Sequence, residues 1–270
     1  MRPTYVIANW KMNTTLAEAM VLAGGVWRYT SNNANVKVIL APPTIWLVPI
    51  KERFRYLPLA AQNFYHMPEG PYTGETAATM LKGIAKYVIV GHSERRSIFQ
   101  EDNLMVNAKA KTAFRENLIP ILAIGEERVL KLDTDDTAKT VESTVAKSSL
   151  WRDLQKSTIG LGESQWEKLI IAYEPVWAIG TKNNADARYV AAIIKALRSL
   201  IARRLNTHVA KSVPILYGGS VTRHSAPEYA GQVEIDGVLV GGAGLKIKEF
   251  VGIVEAFAES HSWRQKHLED

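Results

Sequence analysis

Along the whole chain, short runs of nearly continuous apolar residues alternate with longer stretches in which apolar positions recur every three or four residues. The runs are TYVIAN (4–9), VKVILA (36–41), LPLAAQ (57–62), YVIVGH (87–92), IPILAI (119–124), LIIAYE (169–174), VPILY (213–217) and DGVLVG (236–241), eight in all. Unbroken hydrophobicity over strand length marks strands covered on both faces, as in a parallel sheet. Seven of them lead through a predicted helix to the next strand, for example DNLMVNAKAKTAFREN after the fourth and ADARYVAAIIKALRSLIARRL after the sixth. The eighth opens onto a last helix near IKEFVGIVEAFAES.

Repeated βα units predict an α/β protein with helices outside and packed side chains within. A closed (β/α)8 barrel of the TIM type, one domain over residues 1–270, meets this requirement, and barrels of this length routinely form a single domain. An open doubly wound sheet is the arrangement that the alternation alone leaves standing. Between Glu126 and Trp166 the chain is long, polar and rich in Ser, Thr, Asp and Lys, so a variable helical excursion is expected over 127–167. The tail SWRQKHLED (262–270) is expected to fray.

Composition narrows the chemistry. With no cysteine, disulfides, thiolate nucleophiles and Cys-based metal sites are excluded. The opening MRPTYVIANW carries no signal-peptide pattern, and no run approaches the length of a membrane span, so a cytoplasmic protein without membrane association is expected. A net charge of +6 and a pI near 9.3 would suit an anionic partner, but the basic residues are scattered in ones and twos (Arg53 and Arg55, Arg95 and Arg96, Arg203 and Arg204) and form no stripe. Nucleic acid is therefore not expected as a partner.

In a barrel of this kind the active site lies at the carboxyl ends of the strands. Polar residues that close apolar strands are the candidates: Asn9 and Lys11 after the first, His92 after the fourth, Glu174 after the sixth, and the glycine turns 218–220 and 241–242 after the last two. Together they offer a proton acceptor, a donor for a developing oxyanion, and backbone amides for a phosphate. Glycines suit such amides because a side chain would hold the phosphate oxygens away.

The segments NWKMN (9–13), AQN (61–63), YTGE (72–75), GHSERR (91–96), IGE (124–126), AYEPVWAIGT (172–181), YGGS (217–220) and DGVLVGGAGL (236–245) resemble the triosephosphate isomerase family, in order and at nearly matching spacing. The resemblance runs from residue 5 to about 255 and is weakest over 127–167. It implies a glycolytic and gluconeogenic aldose–ketose isomerase that acts on a phosphorylated small molecule without metal or organic cofactor. Glu174 matches the general base, and His92, as a neutral imidazole, matches the electrophile together with Lys11. Asn9 and Lys11 match substrate-orienting residues, and Gly180, Ser220, Gly241 and Gly242 match phosphate donors. Ser93, Glu94 and Tyr217 match supporting groups, and Pro175, Val176, Trp177, Ala178, Ile179, Gly180 and Thr181 match a lid that closes over substrate and is latched by Tyr217 and Ser220.

Three departures stand out. Lys182, Asn183 and Asn184 replace the family's Gly-Lys-small lid end, which implies altered lid opening; Ala123 replaces Cys; Gln100 replaces Gly. The loop FYHMPEGPYTGE (64–75) matches a projecting interface loop whose Thr73 and Glu75 would meet a neighbouring subunit, and its Phe64, Tyr65, Met67 and Tyr72 would be a sticky patch on a monomer, so a homodimer is expected. Three alternatives remain at this point: an isomerase for a four-carbon ketose phosphate, a barrel that binds phosphorylated metabolites without turnover, and a Schiff-base aldolase using Lys11.

Overall fold

The computed structural model describes residues 2–132, 137–178 and 184–267, the last five of these by backbone only. Ile179, Gly180, Thr181, Lys182 and Asn183, with most of the lid expectation, lie outside the described residues. The elements follow the predicted rhythm: β1 (Thr4–Asn9), α1 (Leu16–Thr30), β2 (Val36–Ala41), α2 (Thr44–Arg53), β3 (Ala60–Ala61), β4 (Tyr87–Val90), α3 (Ser93–Ser97), α4 (Asn103–Arg115) and β5 (Ile119–Ile124). Then come α5 (Ala138–Lys147), α6 (Ser149–Ser157), α7 (Glu163–Trp166), β6 (Ile170–Tyr173), α8 (Ala187–Arg204), α9 (Thr207–Ser212), β7 (Ile215–Tyr217), α10 (Ala226–Ala230), β8 (Gly237–Val240) and α11 (Ile247–His267).

All eight strands are parallel and pair in the order β2-β1-β8-β7-β6-β5-β4-β3. A bridge between Leu40 and Leu59 joins the two ends, so the sheet is a closed single-domain (β/α)8 barrel and the open-sheet alternative falls. Side chains alternate across each strand, as the two-residue period requires. Tyr5, Ile7, Ile39, Ala60, Tyr87, Ile89, Ile121, Ala123, Ile170, Ala172, Leu216 and Leu239 fill the interior. Their neighbours, among them Val6, Ala8, Leu40, Val88, Leu122, Ile171, Tyr173 and Val240, pack outward against the helices. Ala123, where the family has Cys, is thus one small member of the inner layer.

Two expectations are corrected on the third unit. The predicted strand 57–62 shrinks to two residues, Ala60–Ala61; Pro58, just before them, has no N–H to give to a ladder. No α-helix follows it; a 3-10 turn, Ala78–Leu81, takes its place. The intervening loop carries Pro68, Gly70, Pro71 and Gly74, with Gly70 and Gly74 at φ 138° and 93°, and cannot sustain a helical period. The excursion after β5 consists of α5, α6 and α7, with 133–136 outside the described residues. At the carboxyl end, α11 continues through His267, into the stretch expected to fray, and Thr4 Oγ1 lies 2.9 Å from His261 Nδ1, which ties that helix to β1. Among the described residues no helix is long and apolar enough to cross a membrane.

Candidate active site

The carboxyl ends of the strands converge on a cavity of about 610 Å³ lined by Asn9, Lys11, His92, Glu174, Gly218, Gly219, Ser220, Gly241 and Gly242, and widening outward past Thr222, His224, Lys246 and Glu249. Nine residues singled out from strand ends and turns are therefore neighbours: Asn9, Lys11, His92, Glu174, Gly218, Gly219, Ser220, Gly241 and Gly242.

Each is held by its local backbone. Asn9 ends β1 and is buried; its Oδ1 accepts the Lys11 N–H at 3.0 Å. Lys11 itself adopts φ 53°, a left-handed conformation that a side chain rarely tolerates and that tends to mark functional sites. The lysine stem runs past Gly241, and its Nζ donates to Glu94 Oε1 at 2.6 Å. Gln62, just beyond β3, fastens this turn by donating to the carbonyls of Lys11 and Ala41, both at 2.8 Å.

His92 is the N-cap of α3, and its Nδ1 accepts the Glu94 N–H at 3.2 Å. A ring nitrogen that accepts carries no proton, so the neutral ring bears its hydrogen on Nε2. That Nε2 lies 3.3 Å from Glu174 Oε1. The other oxygen of Glu174 accepts the Ser93 N–H at 3.0 Å, at the positive end of α3. Only 2% of Glu174 is exposed. Its close fit has a sequence cause: a Cβ at position 218 would come within 2.6 Å of Glu174 Cγ, so glycine is required there.

Facing these groups, Gly241 leads into a 3-10 turn, Gly242–Leu245, after β8, and Gly218 to Ser220 follow β7. The exposed first amides of such a turn and the open glycine backbone suit a phosphate dianion.

The segment matched to a lid begins on the same rim. Val176–Ala178 form a 3-10 turn directly after β6. Trp177 Nε1 donates to Glu126 Oε1 at 3.0 Å, as do the hydroxyls of Tyr173 at 2.7 Å and Tyr189 at 3.3 Å. Burial raises the Glu126 carboxyl above the ordinary range while these three donors pull it back. Burial and the charge of Glu126 in turn push Tyr189 up to about 12. Glu126 was not among the residues chosen from sequence. It closes β5 in IGE, and the same strand-end rule that picked Glu174 would have found it.

Tyr217 is fully buried beneath Gly219, stacked on Tyr229 with ring centroids 4.6 Å apart, and burial raises its hydroxyl. Tyr229 donates to the carbonyl of Ala185 at 2.8 Å, just past the far end of the lid. The latch expectation for Tyr217 and Ser220 therefore concerns a segment outside the described residues.

In the loop 64–75, Thr73 and Glu75 are exposed and do not line this chain's own cavity. Phe64 corrects the expected patch: it is only 1% exposed and packs into its own barrel core. Tyr65 and Tyr72 lean on each other with ring centroids 4.4 Å apart and planes tilted by 42°.

Comparison with known proteins agrees with this geometry. The profile of the family described as Triosephosphate isomerase matches residues 4–257. A protein named triosephosphate isomerase from Dehalococcoides mccartyi is 40% identical over 255 residues, covering 94% of this chain and 96% of the relative. Proteins of the same name from Rhodopirellula baltica and Dictyoglomus turgidum are 36% and 38% identical, covering 94% and 95% of this chain and 98% and 100% of theirs. With a match of this extent across a barrel whose rim carries the family's motifs, the chain belongs to the triosephosphate isomerase family.

Proposed function

We propose that this chain interconverts dihydroxyacetone phosphate and D-glyceraldehyde 3-phosphate. Glu174 takes a proton from one carbon and returns it to the next through an enediol(ate), so no atom is gained or lost. The observation that carries this reading is the meeting of a buried carboxylate with His92 Nε2, 3.3 Å apart, at one end of a cavity whose other side is a glycine-amide cradle. General base catalysis of this kind is worth about 10²- to 10⁴-fold. As the proton leaves, charge grows on the neighbouring oxygen. The His92 Nε2–H and the Lys11 ammonium then strengthen their hold, and one such donor is worth about 2.7–4 kcal/mol. Asn9 orients Lys11, and Glu94 fixes its ammonium.

The amides of Ser220, Gly241, Gly242 and Gly180 bind the phosphate, and residues 175–181 close over it. Closure has a chemical purpose: an enediol phosphate open to water loses phosphate, so water must be excluded until reprotonation. A coupled assay of glyceraldehyde 3-phosphate isomerisation tests the reading. Glu174→Asp withdraws the carboxylate from the carbon and is expected to lower kcat by about 10²-fold with KM nearly unchanged. Wild-type protein without turnover would end the proposal in favour of a binding barrel. The same groups would serve a four-carbon ketose phosphate, and kcat/KM measured side by side ranks the two substrates.

The reading includes a homodimer. Met12, 96% exposed beside the catalytic lysine, and Phe99, 59% exposed, flank a second cavity of about 210 Å³ on the far side of Lys11, which also reaches Asn9, His92 and Glu94. Ile45, Met80 and Ile98 are likewise exposed. A neighbour's Thr73 loop entering this cavity would cover the patch and steady Asn9 and Lys11. Sedimentation at micromolar concentration is expected to give twice the 30.0 kDa chain mass, and a single monomeric species would refute the dimer.

A further inference from the structure

Behind the active-site turn lies a half-buried cation that the proposed reaction does not use. Arg96, on α3, donates from Nε to the carbonyl of Gly91 at 2.7 Å, from Nη1 to Asn103 Oδ1 at 2.8 Å, and from Nη2 to the carbonyl of Ala123 and to Ser157 Oγ at 3.3 and 3.4 Å. Asn103 is held in turn by Asp153, whose Oδ1 accepts its Nδ2–H at 2.8 Å, and by Ser157, whose hydroxyl donates to its Oδ1 at 3.0 Å.

Both Asp153 and Ser157 belong to α6, part of the excursion after β5 where the sequence resembles its family least. The carbonyl that Arg96 grips belongs to the residue before His92. Gly91 has φ 69°, and a Cβ there would come within 2.8 Å of Arg96 Nη2 and 2.9 Å of Val106, so the turn is shaped around the guanidinium. No carboxylate among the described residues forms a direct ion pair with Arg96. Asp153 and Glu174 act on it through space, the two largest influences offsetting the burial that lowers its pKa. A cavity of about 370 Å³ lined by Ser93, Arg96, Asp153 and Glu174 joins these groups behind the base.

We infer that Asp153 and Ser157 of α6, acting through Asn103 and Arg96, are positioning residues that set the turn carrying His92 and the Ser93 N–H against Glu174. The inference rests on the isomerase reading for its kinetic consequence, though not for its structural one. Three of the four proposed phosphate donors, Ser220, Gly241 and Gly242, follow β7 and β8, outside this chain of bonds, so loosening the chain shifts the base and electrophile and leaves phosphate binding nearly unchanged.

Three variants, Asp153→Ala, Ser157→Ala and Arg96→Lys, are compared with wild type by kcat, KM, the inhibition constant of inorganic phosphate, and the ¹H–¹⁵N signals of His92. Misplacement of reacting groups by a fraction of an ångström predicts a kcat loss of about tenfold for Asp153→Ala, and about hundredfold for Arg96→Lys, with the phosphate constant changed less than about twofold. The His92 signals are expected to move in every variant. Equal losses in kcat and phosphate binding would mean general loosening and overturn the inference, as would unchanged kcat in an Asp153→Ala, Ser157→Ala double variant. If Arg96→Lys fails to fold, Asp153→Ala decides alone. If wild type shows no isomerisation, the isomerase reading falls while the His92 signals still decide this one: stationary signals in Asp153→Ala end it.

Discussion

Gln100 has φ 57°, where the family has glycine, and its side chain offers only one exposed hydrogen bond, to the carbonyl of Ser97 at 2.8 Å. A left-handed conformation costs an L-residue roughly 1–2 kcal/mol, and glycine returns part of that through its freer unfolded chain. Gln100→Gly is therefore expected to stabilise the protein by about 0.5–1 kcal/mol in urea unfolding, and no gain would place the strain elsewhere. The sequence marked Gln100 as touching a turn, because a missing glycine is visible against a motif. Lys11 has the same kind of backbone at φ 53° with no such mark, since the fold around it imposes the conformation. His92 and Glu174 were readable for another reason: a strand can end in a charged group only where the barrel opens. Arg96 was not readable, because four partners from four segments define it and none is near it in a periodic pattern.

At the level of elements, several helices are fixed by caps in their first turns. Thr15 and Glu18 form a reciprocal capping box at α1, and Asp102, Asp186 and Asn206 cap α4, α8 and α9. The third unit misled because an apolar run suggested a full strand where only Ala60 and Ala61 pair regularly. The turn after β6 carries a further expectation. Its Trp177 is tethered to Glu126, whose carboxyl is raised by burial. The folded protein thus holds that proton more tightly than the unfolded chain, and stability falls as pH rises from the ordinary carboxylate range through the elevated folded value. Glu126→Gln removes the titration and keeps an acceptor for Trp177, so thermal unfolding followed across that window is expected to be flatter in the variant. A parallel decline in both proteins would assign the pH dependence to another group.

For the molecule as a whole, the barrel was legible because eight buried strands with helices between them have few ways to cover both faces. Subunit association was less so: the sequence assigned Phe64 to the sticky surface, and folding placed it inside while leaving Met12, Met80, Ile98 and Phe99 outside. Charge set against that patch tests it, and Phe99→Asp is expected to shift the sedimenting species to the monomer with kcat reduced and the fold retained. A dimer that persists in this variant would place the interface on another face.

The barrel's staves are fastened unequally. β1 and β2 share six paired positions, whereas β2 and β3 are joined by the one bridge at Leu40 and Leu59, and Gln62 clasps Lys11 just above that joint. The loop proposed to meet a neighbour grows from this loosely joined stave. In the proposed dimer this joint would be braced from outside, so a solitary subunit, though it owns every reacting side chain, would slacken there on dilution and carry the lysine with it.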